Sequence, residues 1–351
     1  MIRKILLAAA VAILAGVGVL YWYMRPLPIL TVTSWAGPYG RAQAAAQMRP
    51  YAASHRVDVH IAEWEGALSK LKGDVVDFEL PEAVEACARG LLEKIDANSL
   101  SAGEDGTAAA KDFVPGAIGP CWVGSIVYSQ VIVTGRFAGA QPETLGDFFD
   151  TARFPGRRAL KRGNGKYNLE MALLADGVPP KDVYATLATE AGLQRAFAKL
   201  ESLGPSLTWY DRDSEPLPMI ESGQAAFATA LNGQLADAAR RGTVPPVIWD
   251  RQLYEFDAFG IPANNPKKDI AMDYIRFATG SRPLAAVAAF VPYGPARRSS
   301  SAFLGKNPDG PDMRPYLPTA HFATAFAVDD QWWFQNGARI DSRWRMWQTS
   351  H

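Results

Sequence analysis

The stretch Val247-Ile-Trp-Asp-Arg-Gln-Leu-Tyr-Glu-Phe-Asp-Ala-Phe-Gly-Ile-Pro262 constrains this chain more than any other. Polar and apolar side chains alternate along it with the period of a strand, and a helix with one apolar face follows. We read it as a strand crossing between two structural units. Asp257 then sits inside the crossing beside Phe256, Phe259 and Ile261, where a carboxylate is costly to bury unless something positive meets it. A surface strand with its acidic side in water is the other reading of this segment.

A chain of 351 residues is too long for one compact core and suits two domains. Net charge is formally zero, but Arg3, Lys4 and Arg25 all precede Pro28. Setting these aside leaves 33 basic residues against 36 acidic ones, a net of −3. With no basic block and no interleaving of basic and aromatic residues, nucleic acid is not an expected partner. Arg3 and Lys4 precede an apolar run from Ile5 to Tyr23, the pattern of an export signal. The run is also close to the length that spans a bilayer, and Tyr21, Trp22 and Tyr23 before Arg25 resemble an interfacial belt. Residues 1–28 are therefore a signal peptide or an N-terminal membrane anchor, and the rest is expected in the periplasm. In that oxidising compartment the two cysteines, Cys87 and Cys121, are expected to form a disulfide.

Along the chain, Ile29–Ser34 and Val57–Ile61 read as strands around an alanine-rich helix, the order of a parallel βαβ unit whose ligand crevice lies at the carboxyl ends of the strands. A third short strand covers Asp74–Asp77, a helix from Pro81 carries Cys87, and Cys121–Val133 is long, β-branched and the natural first crossover. A second unit follows, with short strands at Ala159-Leu160, Thr208–Tyr210 and Ala225–Ala230 and a helix through Leu193, Phe197 and Leu200. Past Pro262 come two helices and a tail in which Trp344 and Trp347, three apart, read as core contacts of a final helix.

Catalytic signatures are missing: there is no Gly-x-Ser-x-Gly, no phosphate-cradling Gly-x-x-x-x-Gly-Lys and no Gly-x-Gly-x-x-Gly. His55, His60, His321 and His351 are too scattered for a metal motif, and no cofactor is implied. The expected crevice loops carry a mixture of acidic and aromatic residues: Trp35, Tyr39, Glu63, Glu65, Asp77, Glu79, Trp122, Trp209, Asp211, Glu215, Asp257 and Tyr293. Aromatic faces and carboxylates together suit an organic cation, at about 0.5–2 kcal/mol per cation-π contact and about 1.5–3 kcal/mol per charge-assisted hydrogen bond. Lys161, Arg162 and Lys166 bracket a Gly-rich loop before a helix, which reads either as an anion site or as solvated charge. A zwitterion or an amino-phosphonate could use both ends.

Several segments in order resemble the extracytoplasmic solute-binding proteins of ABC importers, and among them the spermidine/putrescine-binding family. They include Thr33-Ser-Trp-Ala-Gly-Pro-Tyr-Gly40, Gly73-Asp-Val-Val-Asp77, Ser222-Gly-Gln-Ala-Ala-Phe-Ala228, Tyr254-Glu-Phe-Asp-Ala-Phe-Gly-Ile-Pro262 and Val291-Pro-Tyr-Gly-Pro295. The resemblance implies an α/β, two-lobed periplasmic binding protein fold of type II, each lobe a mixed sheet flanked by helices, with two crossover strands as hinge. Lobe I is expected at 29–130 and 255–320, lobe II at 131–254, and a tail at 321–351 packed on lobe I. The resemblance further implies a non-enzymatic monomer that binds a small, polyamine-like amine and delivers it to an inner-membrane ABC permease. Asp257 matches the family's amine-binding carboxylate and Tyr293 its cleft tyrosine. Leu231 stands where many relatives have a tryptophan, and Glu255 where an aromatic is frequent, so the ligand stays open between a cation and a zwitterionic or anionic amine. A membrane-anchored hydrolase and a sensory module are the readings from other classes.

Overall fold

The computed structural model describes residues 24–163, 165–307 and 309–350. The apolar run read as a signal or anchor lies outside the described residues. Among the described residues no helix is long and apolar enough to cross a membrane.

The expected βαβ opening is present. Strand β1 (Ile29–Ser34) leads into helix α1 (Gly37–Gln43), which continues through a π turn at Ala44–Met48 as far as His55. The helix starts at Gly37 with Pro38 in its first turn, where a missing N–H costs nothing. β2 (Asp58–Glu63) and β3 (Val75–Glu79) flank β1, both parallel to it. Helix α2 (Leu80–Ala88) starts in a capping box between Glu79 and Glu82, which satisfies two of its orphan N–H groups.

β4 (Val123–Thr134) and β8 (Val247–Gly260) are the two long crossing strands. They pair antiparallel with each other along most of their length, and every other strand attaches to one flank of this pair. On the first side β8 pairs with β3. On the other, β4 pairs with β7 (Phe227–Leu231), followed by β5 (Arg158–Lys161) and β6 (Leu207–Tyr210). The sheet order is β2-β1-β3-β8-β4-β7-β5-β6, with β9 (Gly294–Pro295) beside β4 and β10 (Phe326–Ala327) beside β8. Between the pairs Gln130–Leu253 and Ile132–Ile248, where β8 carries more residues than β4, Arg251 takes a left-handed φ of 55°. A non-glycine residue adopts such a backbone only where a bulge or turn requires it.

The hydrophobic residues sort into a core on each side of the crossing. Val32, Val75, Phe78, Phe259 and Tyr274 centre the first, and Phe148, Leu160, Leu173, Leu193 and Phe227 the second. In the second lobe the Arg158 guanidinium, fully buried, donates to the carbonyls of Phe148 and Gly156 at 2.8 and 2.7 Å and lies over the Phe227 ring. The helices of this side are α3 (Gly165–Ala175) and α4 (Glu190–Glu201), with α5 (Leu235–Arg241) after the Asn232-Gly233 turn. Back in the first lobe lie α6 (Lys268–Ala278) and α7 (Ser281–Ala288).

The tail packs on both lobes and not on lobe I alone. Helix α8 (Asp330–Thr349) buries Trp333, Ile340, Trp344 and Trp347, which share one face, in the second core. Trp347 stacks on Phe197 at 5.4 Å and Trp344 meets Trp209 edge-on at 6.0 Å. The helix also runs beside α2 of the first lobe, so it spans both lobes.

Cys87 at the end of α2 and Cys121 just before β4 form the expected disulfide, with a Cα–Cα distance of 5.7 Å. Closing a loop of separation 34 stabilises by about 3–4 kcal/mol on the chain-entropy model. Denaturant unfolding of the Cys87→Ser/Cys121→Ser protein should show a loss of that size, and an unchanged midpoint would mean that the bond is energetically idle.

Candidate functional site

A cavity of about 370 Å³ opens between the lobes, with Trp35, Tyr39, Asp257 and Tyr293 in its wall. The local sequence explains how each arrives. Trp35 lies on the turn that joins β1 to α1 and Tyr39 in the first turns of α1, where Gly40 is required because a Cβ would fall 2.0 Å from the Trp35 carbonyl oxygen. Tyr293 packs edge-on against Tyr39, ring centroids 5.4 Å apart, and presses on the backbone at Gly233, where a Cβ would fall 2.4 Å from its hydroxyl. Asp257 comes from β8, directly opposite Glu79 of β3 in the antiparallel register.

Behind this wall Asp77 is completely buried. Tyr39 and Gln43, four apart and so on one helical face, meet it together with Ser125. Gln43 Nε2 donates to Asp77 Oδ2 and to the Tyr39 hydroxyl, both at 2.9 Å, and Ser125 Oγ donates to Asp77 Oδ1 at 3.1 Å. Burial pushes the Asp77 carboxyl up to about 7, against the opposing pull of these hydrogen bonds. Asp257 is raised well above the usual carboxylate range, first by burial and then by the neighbouring charges of Asp77 and Glu79. Glu79 is raised too, by burial and by Glu82. Among the described residues no hydrogen bond reaches the Asp257 carboxylate and no cation forms an ion pair with it. Three carboxyl groups thus crowd one side of an aromatic-walled cavity.

A second cavity of about 230 Å³ adjoins the first and shares Glu79, Tyr128 and Leu231 with it. Lys161 and Lys166 line it, but neither is available as the anion site that the Gly-rich loop suggested. Lys161 Nζ donates to both oxygens of Asp213 at 2.6 and 2.8 Å. Lys166 Nζ is held by Glu255 and, at 2.8 Å, by Asp330. Burial opposes the charge on Lys166, but these two carboxylates outweigh it and raise its pKa. Arg162 points away to an exposed ion pair with Asp211.

Six of the expected crevice residues lie elsewhere, among them Glu65, which is exposed and pairs with Lys70. Glu63 ends β2 and is exposed, while Asp211 and Glu215 follow β6 and pair with Arg162 and Arg212. β2 and β6 are the two outermost strands of the sheet, so the loops at their ends hang far from the crossing. Trp209, on β6, packs against Trp344 and Trp347 in the second core. Trp122, just before β4, lines a separate hollow with Tyr184 and Phe326. Conversely, Tyr128, Gly233, Asp237 and Arg240 line the cavity without having been expected there. For Tyr128 the signal was the two-residue alternation of β4; Arg240 carried none beyond its position just past the Asn-Gly turn.

The chain matches the family model for bacterial extracellular solute-binding proteins over residues 61–315. It is 33% identical over 331 residues to a gamma-aminobutyric acid-binding protein of Pseudomonas aeruginosa, covering 91% of this chain and 90% of that protein. Among solved structures, a GABA receptor superposes with a TM-score of 0.74 at 28% identity, over 92% of this chain and 98% of the other. An ABC transporter substrate-binding protein from Bradyrhizobium japonicum superposes at 0.76 with 24% identity, over 91% and 99%, a likeness of fold alone. Proteins of this kind bind a small solute and hand it to a permease without chemical conversion. With its two lobes, its two crossing strands and the cavity between them, the chain belongs to the bacterial extracellular solute-binding protein family.

Proposed function

We propose that the protein binds a small amine in the cavity between its lobes, in the periplasm, and delivers it as a monomer to an inner-membrane ABC permease. The observation that carries this reading is the Asp257 carboxylate, buried in an aromatic-walled cavity and unmatched by any cation among the described residues. An ammonium placed there relieves the desolvation of Asp257 and the repulsion from Asp77 and Glu79 together, while the rings of Trp35, Tyr39 and Tyr293 offer cation-π faces. Lobe I (29–130 and 255–320) and lobe II (131–254) would then close because the ligand touches both only in the closed state, so its differential affinity drives the change.

The kinship with a gamma-aminobutyric acid-binding protein supports an amine that also carries a carboxylate, of the ω-amino acid kind. The excess of acidic groups around the cavity favours the second reading, a diamine or polyamine. Residues 1–28 would serve as the export signal or as a tether to the inner membrane.

Asp257→Ala should weaken binding of 4-aminobutanoate by about 2–5 kcal/mol in calorimetry, the scale of removing one partner of a buried charge pair; affinity near that of the wild type would remove Asp257 from the site. Proton linkage gives an independent check. Because the folded chain holds the Asp77 proton up to about pH 7 and the unfolded chain only to about 4, the stability from this group is fully present below the lower value. It is lost as the pH rises through the higher one. Denaturant unfolding of the ligand-free protein should therefore show stability falling between about pH 5 and pH 7, by up to about 1.4 kcal/mol per unit from this group. Asp77→Asn should flatten that slope, and an identical slope in the variant would place the proton elsewhere.

A further inference from the structure

We infer that Arg240 of α5 is the residue that reads the anionic end of the ligand, and so makes the site selective for an ω-amino acid over a diamine. The inference rests on the amine reading above and assigns the half of the ligand that Asp257 leaves unaddressed. Among the described residues, Arg240 is the one cationic side chain lining the cavity that contains Asp257. The two residues come from different elements: Asp257 from the crossing strand β8, and Arg240 from the helix that follows the Asn232-Gly233 turn in lobe II.

Arg240 is also the cation with capacity to spare. Its Nη2 contacts Asp237 at 2.7 Å, three residues earlier on the same helix, and both side chains are substantially exposed, at 40% and 75%. An exposed pair of this kind contributes only a few tenths of a kcal/mol, so a ligand carboxylate displaces it at little cost. Asp237 Oδ1 takes one of the two Nη2 hydrogens, and Nε and Nη1 find no hydrogen-bond partner among the described residues, so a planar fork of Nη2 with one of them remains to match a carboxylate. The neighbouring lysines offer the contrast. Lys161 is already met by both oxygens of Asp213, and Lys166 by Glu255 and Asp330. Recruiting Lys166 would strip a cation from two almost fully buried carboxylates. A second ammonium in place of the carboxylate would face Arg240 with like charge, so the same residue that holds an ω-amino acid repels a diamine of equal length.

The test is calorimetry with 4-aminobutanoate and 1,4-diaminobutane on the wild type, Arg240→Gln and Arg240→Lys. Arg240→Gln should weaken 4-aminobutanoate by about 30-fold, leave 1,4-diaminobutane unchanged or tighter, and keep its melting temperature. Arg240→Lys should recover part of the loss, since it restores the charge without the fork. The assignment is overturned if Arg240→Gln binds 4-aminobutanoate within about threefold of the wild type, if it loses both ligands alike, or if the wild type takes only the diamine. In that last case the amine reading survives without it. A wild type that binds neither compound would count against the amine reading itself, and the assignment would go with it.

Discussion

Burying the Asp257 carboxylate beside Asp77 and opposite Glu79, with no cation among the described residues to meet it, costs free energy that the rest of the fold has to offset. The β4–β8 ladder holds Asp257 in place through backbone bonds that its side chain cannot influence. Two packed cores anchor the ends of that ladder. Around Asp77, Gln43, Ser125 and Tyr39 supply hydrogen bonds that hold the second carboxyl group in a fixed position. Neutral donors of this kind stabilise a buried acid without cancelling its charge, so the cavity keeps its demand for a cation.

The same strand shows what a satisfied carboxylate looks like. Glu255 is two residues before Asp257, on the same face of β8, and is equally buried. Yet Glu255 has Lys166, which Asp330 of α8 shares. The pair of acids is thus divided: one is spent on joining the crossing strand to α3 and to the final helix, and the other faces the cavity. A further internal ion pair, Arg297 with Asp112, is buried at 2% exposure on both sides. Elsewhere the buried Glu170 is met by the neutral donors Tyr184 and Trp333 and Arg158 by carbonyls, whereas among the described residues no hydrogen bond or ion pair meets the Asp257 carboxylate at the cavity wall.

Much of this was legible in the sequence because it follows from local pattern. The segments Ile29–Ser34 and Thr208–Tyr210 read as strands and lie in β1 and β6, and the cysteine pair is marked by its isolation. Asp257, Tyr293, Trp35 and Tyr39 line the cavity because they lie on the crossing strand, on the loop before β9, on the loop after β1 and at the start of α1. The residues that fall outside the cavity do so for two reasons. Glu63, Asp211 and Glu215 do follow strands, as crevice residues should, but whether a strand is central or at the edge depends on sheet order, which no local pattern encodes. Trp209 and Trp122 carry the composition of a ligand cage and the position of core residues. The burial of Arg158 was equally hidden, since only the fold reveals the carbonyls that receive its guanidinium.

The way β4 and β8 are joined has a mechanical consequence. Two strands bonded edge to edge form a narrow ribbon that is soft to bending out of its plane and stiff to sliding along its length, because sliding would break every rung of the ladder at once. The ladder shifts register between Gly124 and Ile126 and again between Gln130 and Ile132, beside Arg251, so flexure concentrates at these two levels. Lobes that move on this ribbon would do so by bending it, which changes the angle between them, and not by sliding. A permease that touches both lobes can read occupancy from that angle alone, with no need to sense the solute itself.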